Sequence, residues 1–194
     1  NAALGYQFST YSGGAMQRDG RGTLSASLGL GHEISEQRSQ RLSYERTQTE
    51  AFAGGVDVRD MIRYSLNWSG GLLPGGLTSQ FAVFDPQDSQ RGGYSDWSTS
   101  LSLRHQLTRL LRLDFTTAYD MRMNDASTLP ADPDTPDLTS DYQTWTIRLG
   151  TRVPLSRKTS FDAYAEHVDR MSDNDNLAYT RDVIAATLTW THKF

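Results

Sequence analysis

Residues 111–123 read LRLDFTTAYDMRM, and the order of those letters decides the fold. Leu111, Leu113, Phe115, Thr117, Tyr119, Met121 and Met123 alternate with Arg112, Asp114, Thr116, Ala118, Asp120 and Arg122. Successive side chains of a strand point to opposite faces, so this stretch carries one apolar face and one charged face. The same split recurs along the chain. In 56–68, Val56, Val58, Ile62, Tyr64, Leu66 and Trp68 alternate with Asp57, Arg59, Arg63, Ser65 and Asn67. Segment 97–107 sets Trp97, Leu101, Leu103 and Leu107 against Ser98, Ser100, Ser102, Arg104 and Gln106. Segment 143–153 sets Trp145, Ile147, Leu149 and Val153 against Thr144, Thr146, Arg148 and Arg152. Near the start, Leu24, Ala26, Leu28, Leu30 and Ile34 alternate with Thr23, Ser25, Ser27 and Gly29.

Weaker segments at 3–10, 40–48, 77–85, 159–168 and 182–194 bring the expectation to ten strands in one domain spanning 1–194. Segment 40–48 fits least well, because Arg46 and Gln48 follow Leu42 and Tyr44 on the apolar side. No stretch keeps a helical period. All six prolines fall between or at the ends of these segments, where a missing N–H breaks no ladder. Counting back from the C-terminus, long and short connections alternate through most of the chain, the pattern of an outer-membrane barrel with tight periplasmic turns and larger external loops.

Composition restricts the function classes. The chain has 194 residues, a net charge of -4 and no cysteine. Disulfides, thiolate nucleophiles and cysteine-held zinc are therefore excluded. A slight acidic excess argues against a nucleic-acid partner bound through phosphates. Mean hydropathy is -0.58, and no apolar run approaches the ~20 residues of a membrane helix. A β-barrel escapes that test, because its lipid-facing residues occupy only alternate positions. No secretory signal precedes Asn1, so the reading is of a processed chain or a piece of a longer one.

The last segment adds a resemblance. Ile184, Ala186, Leu188, Trp190 and His192 lead to a terminal Phe194, alternating with Ala185, Thr187, Thr189, Thr191 and Lys193. This resembles the C-terminal strand of Gram-negative outer-membrane β-barrel proteins, in detail over about the last dozen residues, with His192 less apolar than the pattern prefers. The resemblance implies an all-β antiparallel transmembrane barrel of about ten strands, or the C-terminal part of a larger one. It also implies an outer-membrane location with both termini periplasmic. Expected partners are outer-membrane lipid and lipopolysaccharide, the barrel-assembly machinery, and a periplasmic or envelope complex. The aromatic residues Trp68, Trp97, Phe115, Tyr142, Trp145 and Phe161 are expected as a girdle at the two membrane interfaces. A soluble β-sandwich binding module is the rival, since such sheets also alternate.

If the apolar face meets lipid, the other lines a lumen. The strand periodicity sends inward Arg41, Glu45, Arg59, Arg63, Arg104, Arg112, Asp114, Asp120, Arg122, Arg148, Arg152, Asp162 and Glu166. The expectation is a packed Arg/Asp/Glu network, because unpaired buried ions are costly and a small barrel has little free interior. The alternative is a narrow polar pore biased toward anions. Inward positions on the first two strands and the last are small, including Gly5, Ser9, Ser27, Gly29, Ala185 and Thr187.

Catalysis has little support. His32, His105, His167 and His192 all fall on the apolar face. Only His167, near Asp169 and Asp173, approaches the external rim, a position similar to the Asp/His rims of ten-stranded omptin-type surface hydrolases. Asp125, Asp132, Asp134, Asp137 and Asp141 lie in one loop that lacks the pattern of a calcium-binding loop and reads as solvated. Arg18, Arg21, Arg91 and Arg181 are candidates for lipopolysaccharide phosphates. No cofactor or metal is implied. The expected function is non-enzymatic: a porin-like pore or export component, or the membrane anchor of a larger envelope assembly.

Overall fold

A computed structural model describes residues 2–9, 21–50, 56–86, 93–125, 140–156 and 158–191. The chain is all-β. Its strands are β1 (Ala2–Ser9), β2 (Arg21–Ser35), β3 (Arg38–Glu50), β4 (Val56–Trp68) and β5 (Gly75–Pro86), followed by β6 (Tyr94–Gln106), β7 (Arg112–Asn124), β8 (Tyr142–Pro154), β9 (Thr159–Ser172) and β10 (Tyr179–Trp190). They form one antiparallel sheet in sequential order, each strand beside the next. Among the described residues, β1 pairs with β2 alone and β10 with β9 alone. Among the described residues, the helical element is a single 3-10 turn, Asp175–Leu177, and no helix is long and apolar enough to cross a membrane.

Sequential antiparallel order puts alternate connections at the same end of the sheet. Residues 36–37, 69–74, 107–111 and 155–158 connect strands at one end, and 10–20, 51–55, 87–93, 125–141 and 173–178 at the other. The short-connection end is closed by local bonds. The Thr108 hydroxyl accepts from the amides of Leu110 and Leu111 at 3.2 and 3.0 Å. Trp68 donates its indole N–H to the Leu73 carbonyl at 2.7 Å. His105 Nδ1 lies 2.8 Å from the Leu72 carbonyl, and Gly71 between these contacts takes a φ of 84°, which favours glycine.

Register carries the two-faced pattern across the whole sheet. One row runs Tyr44, Ile62, Phe81, Trp97 and Met121 over neighbouring strands; the row offset by one runs Glu45, Met61, Ala82, Asp96, Arg122 and Tyr142. Four hydrophobic side chains are buried among the described residues: Val58, Met61, Ala82 and Val168. Large apolar residues are instead left open along one face, with Leu30 61% exposed, Leu149 52% and Ile184 88%. Among the exposed large hydrophobics of the described residues within strands, only Tyr179 lies on the charged face.

Candidate functional site

The charged face is the chemically distinctive surface. It holds Arg41, Glu45, Arg59, Arg63, Arg104, Arg112, Asp114, Asp120, Arg122, Arg148, Arg152, Asp162 and Glu166 together, as strand pairing in register requires. The structure adds three residues that the periodicity missed. Asp96, Arg170 and Arg181 lie one or two residues beyond the strand ends expected from sequence, and each extended strand places them on this face.

Toward the short-connection end the charges form a lattice. Asp114 lies between Arg104, at 3.2 Å, and Arg112, at 2.9 Å. Arg112 is directly opposite Arg152 on β8, a like-charge pairing that would repel. Asp114 on one side and Asp162 on the other, the latter paired to Arg152, relieve it. Further along, Glu166 serves two guanidinium groups, Arg181 at 3.0 Å and Arg148 at 3.9 Å. Arg148 also covers the Tyr164 ring, 3.7 Å from its centroid. Exposed pairs of this kind each add little stability, roughly 0–1 kcal/mol, so the lattice sets local charge more than it holds the fold.

Toward the long-connection end the face changes character and becomes a ladder of arginines and rings. Arg59 lies over Phe84, which stacks on Tyr94 with centroids 4.3 Å apart. Arg122 covers Tyr94 at 4.2 Å and reaches Tyr142 at 5.5 Å. Arg170 covers Tyr142 at 3.9 Å. Asp96 clamps Arg122 with two bonds, of 2.7 and 2.9 Å. Tyr142 was expected in the interfacial girdle; register instead places it opposite Arg122 on the charged face. Tyr142 shares the parity of Thr144, Thr146 and Arg148, so carrying the alternation of 143–153 one residue back also places it on this face. The other expected girdle residues, Trp68, Trp97, Phe115, Trp145 and Phe161, lie on the apolar face. There Trp97, Tyr119 and Trp145 form a contiguous aromatic cluster, with centroids 5.8 and 4.6 Å apart.

The small residues of β2 leave space on the charged face. Ser27, Gly29, Arg41, Ser43, Glu45 and Arg63 help line a concavity of about 550 Å³. Arg63 is bound by Gln80 at 2.9 and 3.2 Å, whereas Arg41 and Glu45 make no ion pair among the described residues.

Two ion pairs among the described residues lie on the apolar face. Arg46 pairs with Asp60 across β3 and β4 at 3.3 Å, and Tyr44 donates to the same carboxylate at 2.6 Å. His167 Nδ1 meets Asp182, not Asp169 or Asp173, at 2.7 Å. Asp169 instead accepts from the Thr180 hydroxyl, and no hydroxyl bonds His167 among the described residues. Asp141 takes the backbone N–H of Asn124 at 2.7 Å while its carbonyl accepts from Ser172, so it fastens three strands together. No group of three or more His, Asp or Glu suited to a metal occurs among the described residues. Arg18, Arg91, Asp132, Asp134, Asp137, His192 and Phe194 lie outside the described residues. Of the terminal pattern, Ile184, Ala186, Leu188 and Trp190 share the apolar face of β10. Comparison of the chain with protein-family models, curated proteins and solved structures finds no match.

Proposed function

We propose that this sheet is the wall of a bacterial outer-membrane β-barrel, its apolar face toward lipid and its charged face toward the interior. In this reading the barrel serves passage of small polar solutes or holds an envelope assembly in the membrane. The short connections face the periplasm, where both ends of the sheet's strand order also lie. The observation that carries the reading is segregation. Large exposed apolar side chains occupy one face, while six of the eight ion pairs among the described residues occupy the other.

A soluble sandwich would cover its apolar face, since water-soluble proteins rarely leave a continuous apolar patch beyond a few hundred Å². Lipid is the solvent in which such a face needs no cover. Strand length agrees: β2–β10 run from 12 to 15 residues, against the roughly 9–11 that a tilted transmembrane strand needs. All four tryptophans, Trp68, Trp97, Trp145 and Trp190, lie on the apolar face. Refolded into vesicles whose acyl chains carry bromine, the protein is expected to lose much of its tryptophan fluorescence. Unquenched emission, with the chain monomeric in plain buffer, refutes the membrane reading.

A further inference from the structure

Most arginines on the charged face have a carboxylate: Arg104, Arg112, Arg122, Arg148, Arg152 and Arg181 are all so paired. Arg59 and Arg170, at the two ends of the arginine–ring ladder, are not. Arg59 is held by the Phe84 face and by a contact to the Met61 sulfur at 3.4 Å; Arg170 is held by the Tyr142 face. In both, Nε is buried and has no hydrogen-bond partner.

A ring under a guanidinium fixes its plane without neutralising its charge. The N–H donors radiate within that plane, so stacking does not occupy them. A donor set that is charged, oriented and without an oxygen acceptor is what a planar or tetrahedral oxyanion fits, by two parallel N–H···O bonds. Leaving a buried donor unsatisfied is costly, and an arriving oxyanion would offset that cost. The contrast with Arg122 in the same ladder is informative: there Asp96 supplies that pair of oxygens from within the chain.

We propose that Arg59 and Arg170 are two oxyanion-binding subsites, taking phosphate or carboxylate groups of small polar solutes at the long-connection end of the charged face. This names the solute class for the passage reading and rests on that reading only for how the solute arrives.

Calorimetric titration of the folded chain in detergent micelles, at constant ionic strength in chloride, tests it with pyrophosphate and citrate as separate probes. Saturable binding with a stoichiometry near two is expected for at least one probe, and the tighter one tells phosphate from carboxylate. Arg59→Gln or Arg170→Gln should each bring the stoichiometry toward one, and together they should abolish binding. Arg152→Gln, which removes a carboxylate-paired arginine, should bind like the parent. No binding of either probe overturns the proposal, as does equal loss with Arg152→Gln, which signals general charge attraction. If the glutamine pair does not fold, Arg59→Lys with Arg170→Lys decides. It keeps both charges and should bind about tenfold more weakly for want of the planar fork; undiminished affinity overturns the assignment. Failure of tryptophan quenching in lipid leaves this result standing, so the two readings fail separately.

Discussion

A single carboxylate shows how much one residue can alter the reading of a strand. Arg46 looks misplaced among Leu42, Tyr44 and their neighbours, and by alternation alone it weakens the case for a strand. Asp60, on the next strand, lies directly opposite it and also accepts from Tyr44. A charge on a lipid-facing surface is tolerated when paired and costly when stranded. Asp60→Ala is therefore expected to destabilise the lipid-folded protein by about 1–3 kcal/mol, because Arg46 is left alone. Replacing both, Arg46→Leu with Asp60→Leu, should restore parental stability. Urea unfolding in vesicles measures both, and an innocuous Asp60→Ala would show that this face is bathed in water. Similar reasoning applies to His167, whose partner, Asp182, lies 15 residues away, whereas sequence proximity points to Asp169 and Asp173.

Strand interiors were legible from sequence and their ends were not. Alternation identified 56–68 at its observed limits and placed 111–123 within one residue of β7. At strand ends the alternation has too few members to be recognised, and backbone pairing carries the strand onward. Asp96, Tyr142, Arg170 and Arg181 all lie in those extensions, and they supply part of the ladder and one partner of the lattice. Packing at the turn ends was equally invisible. A Cβ on Gly75, the first residue of β5, would collide with the Ser102 carbonyl and come within 2.8 Å of the Trp68 ring. Gly75→Val should therefore force β4, β5 and β6 apart at their short-connection ends and cost about 1–3 kcal/mol. Gly31→Val, with nothing within 4 Å of its Cβ, is the matched control and should be close to neutral. Comparing their unfolding midpoints tests the packing, and equal effects would contradict it.

At the scale of the whole molecule, ion pairing across the charged face bears on passage against anchoring. A lattice in which Asp114 and Glu166 each serve two arginines leaves an excess of positive charge on the charged face of β6–β10. Arg41, Arg59 and Arg170 add further cations that carry no ion pair among the described residues. A conducting barrel with that lining is expected to give defined single-channel steps in planar bilayers and a reversal potential favouring anions. Silence over a range of salt concentrations would remove passage and leave the anchor, which predicts a partner that co-purifies in detergent.

What the sequence determined by itself was local: a period of two, hence strands, hence one apolar and one charged face, and which residues lie on each within the recognised segments. Parity follows from the geometry of a single strand and needs no neighbour. What only the tertiary structure decided was pairing. The clamp of Asp96 on Arg122, the relief of Arg112 and Arg152, and the Arg59–Phe84–Tyr94–Arg122–Tyr142–Arg170 ladder depend on the register between strands. Register is a pairing between residues as much as 40 positions apart, Arg112 opposite Arg152 among them, and alternation within one strand is blind to it.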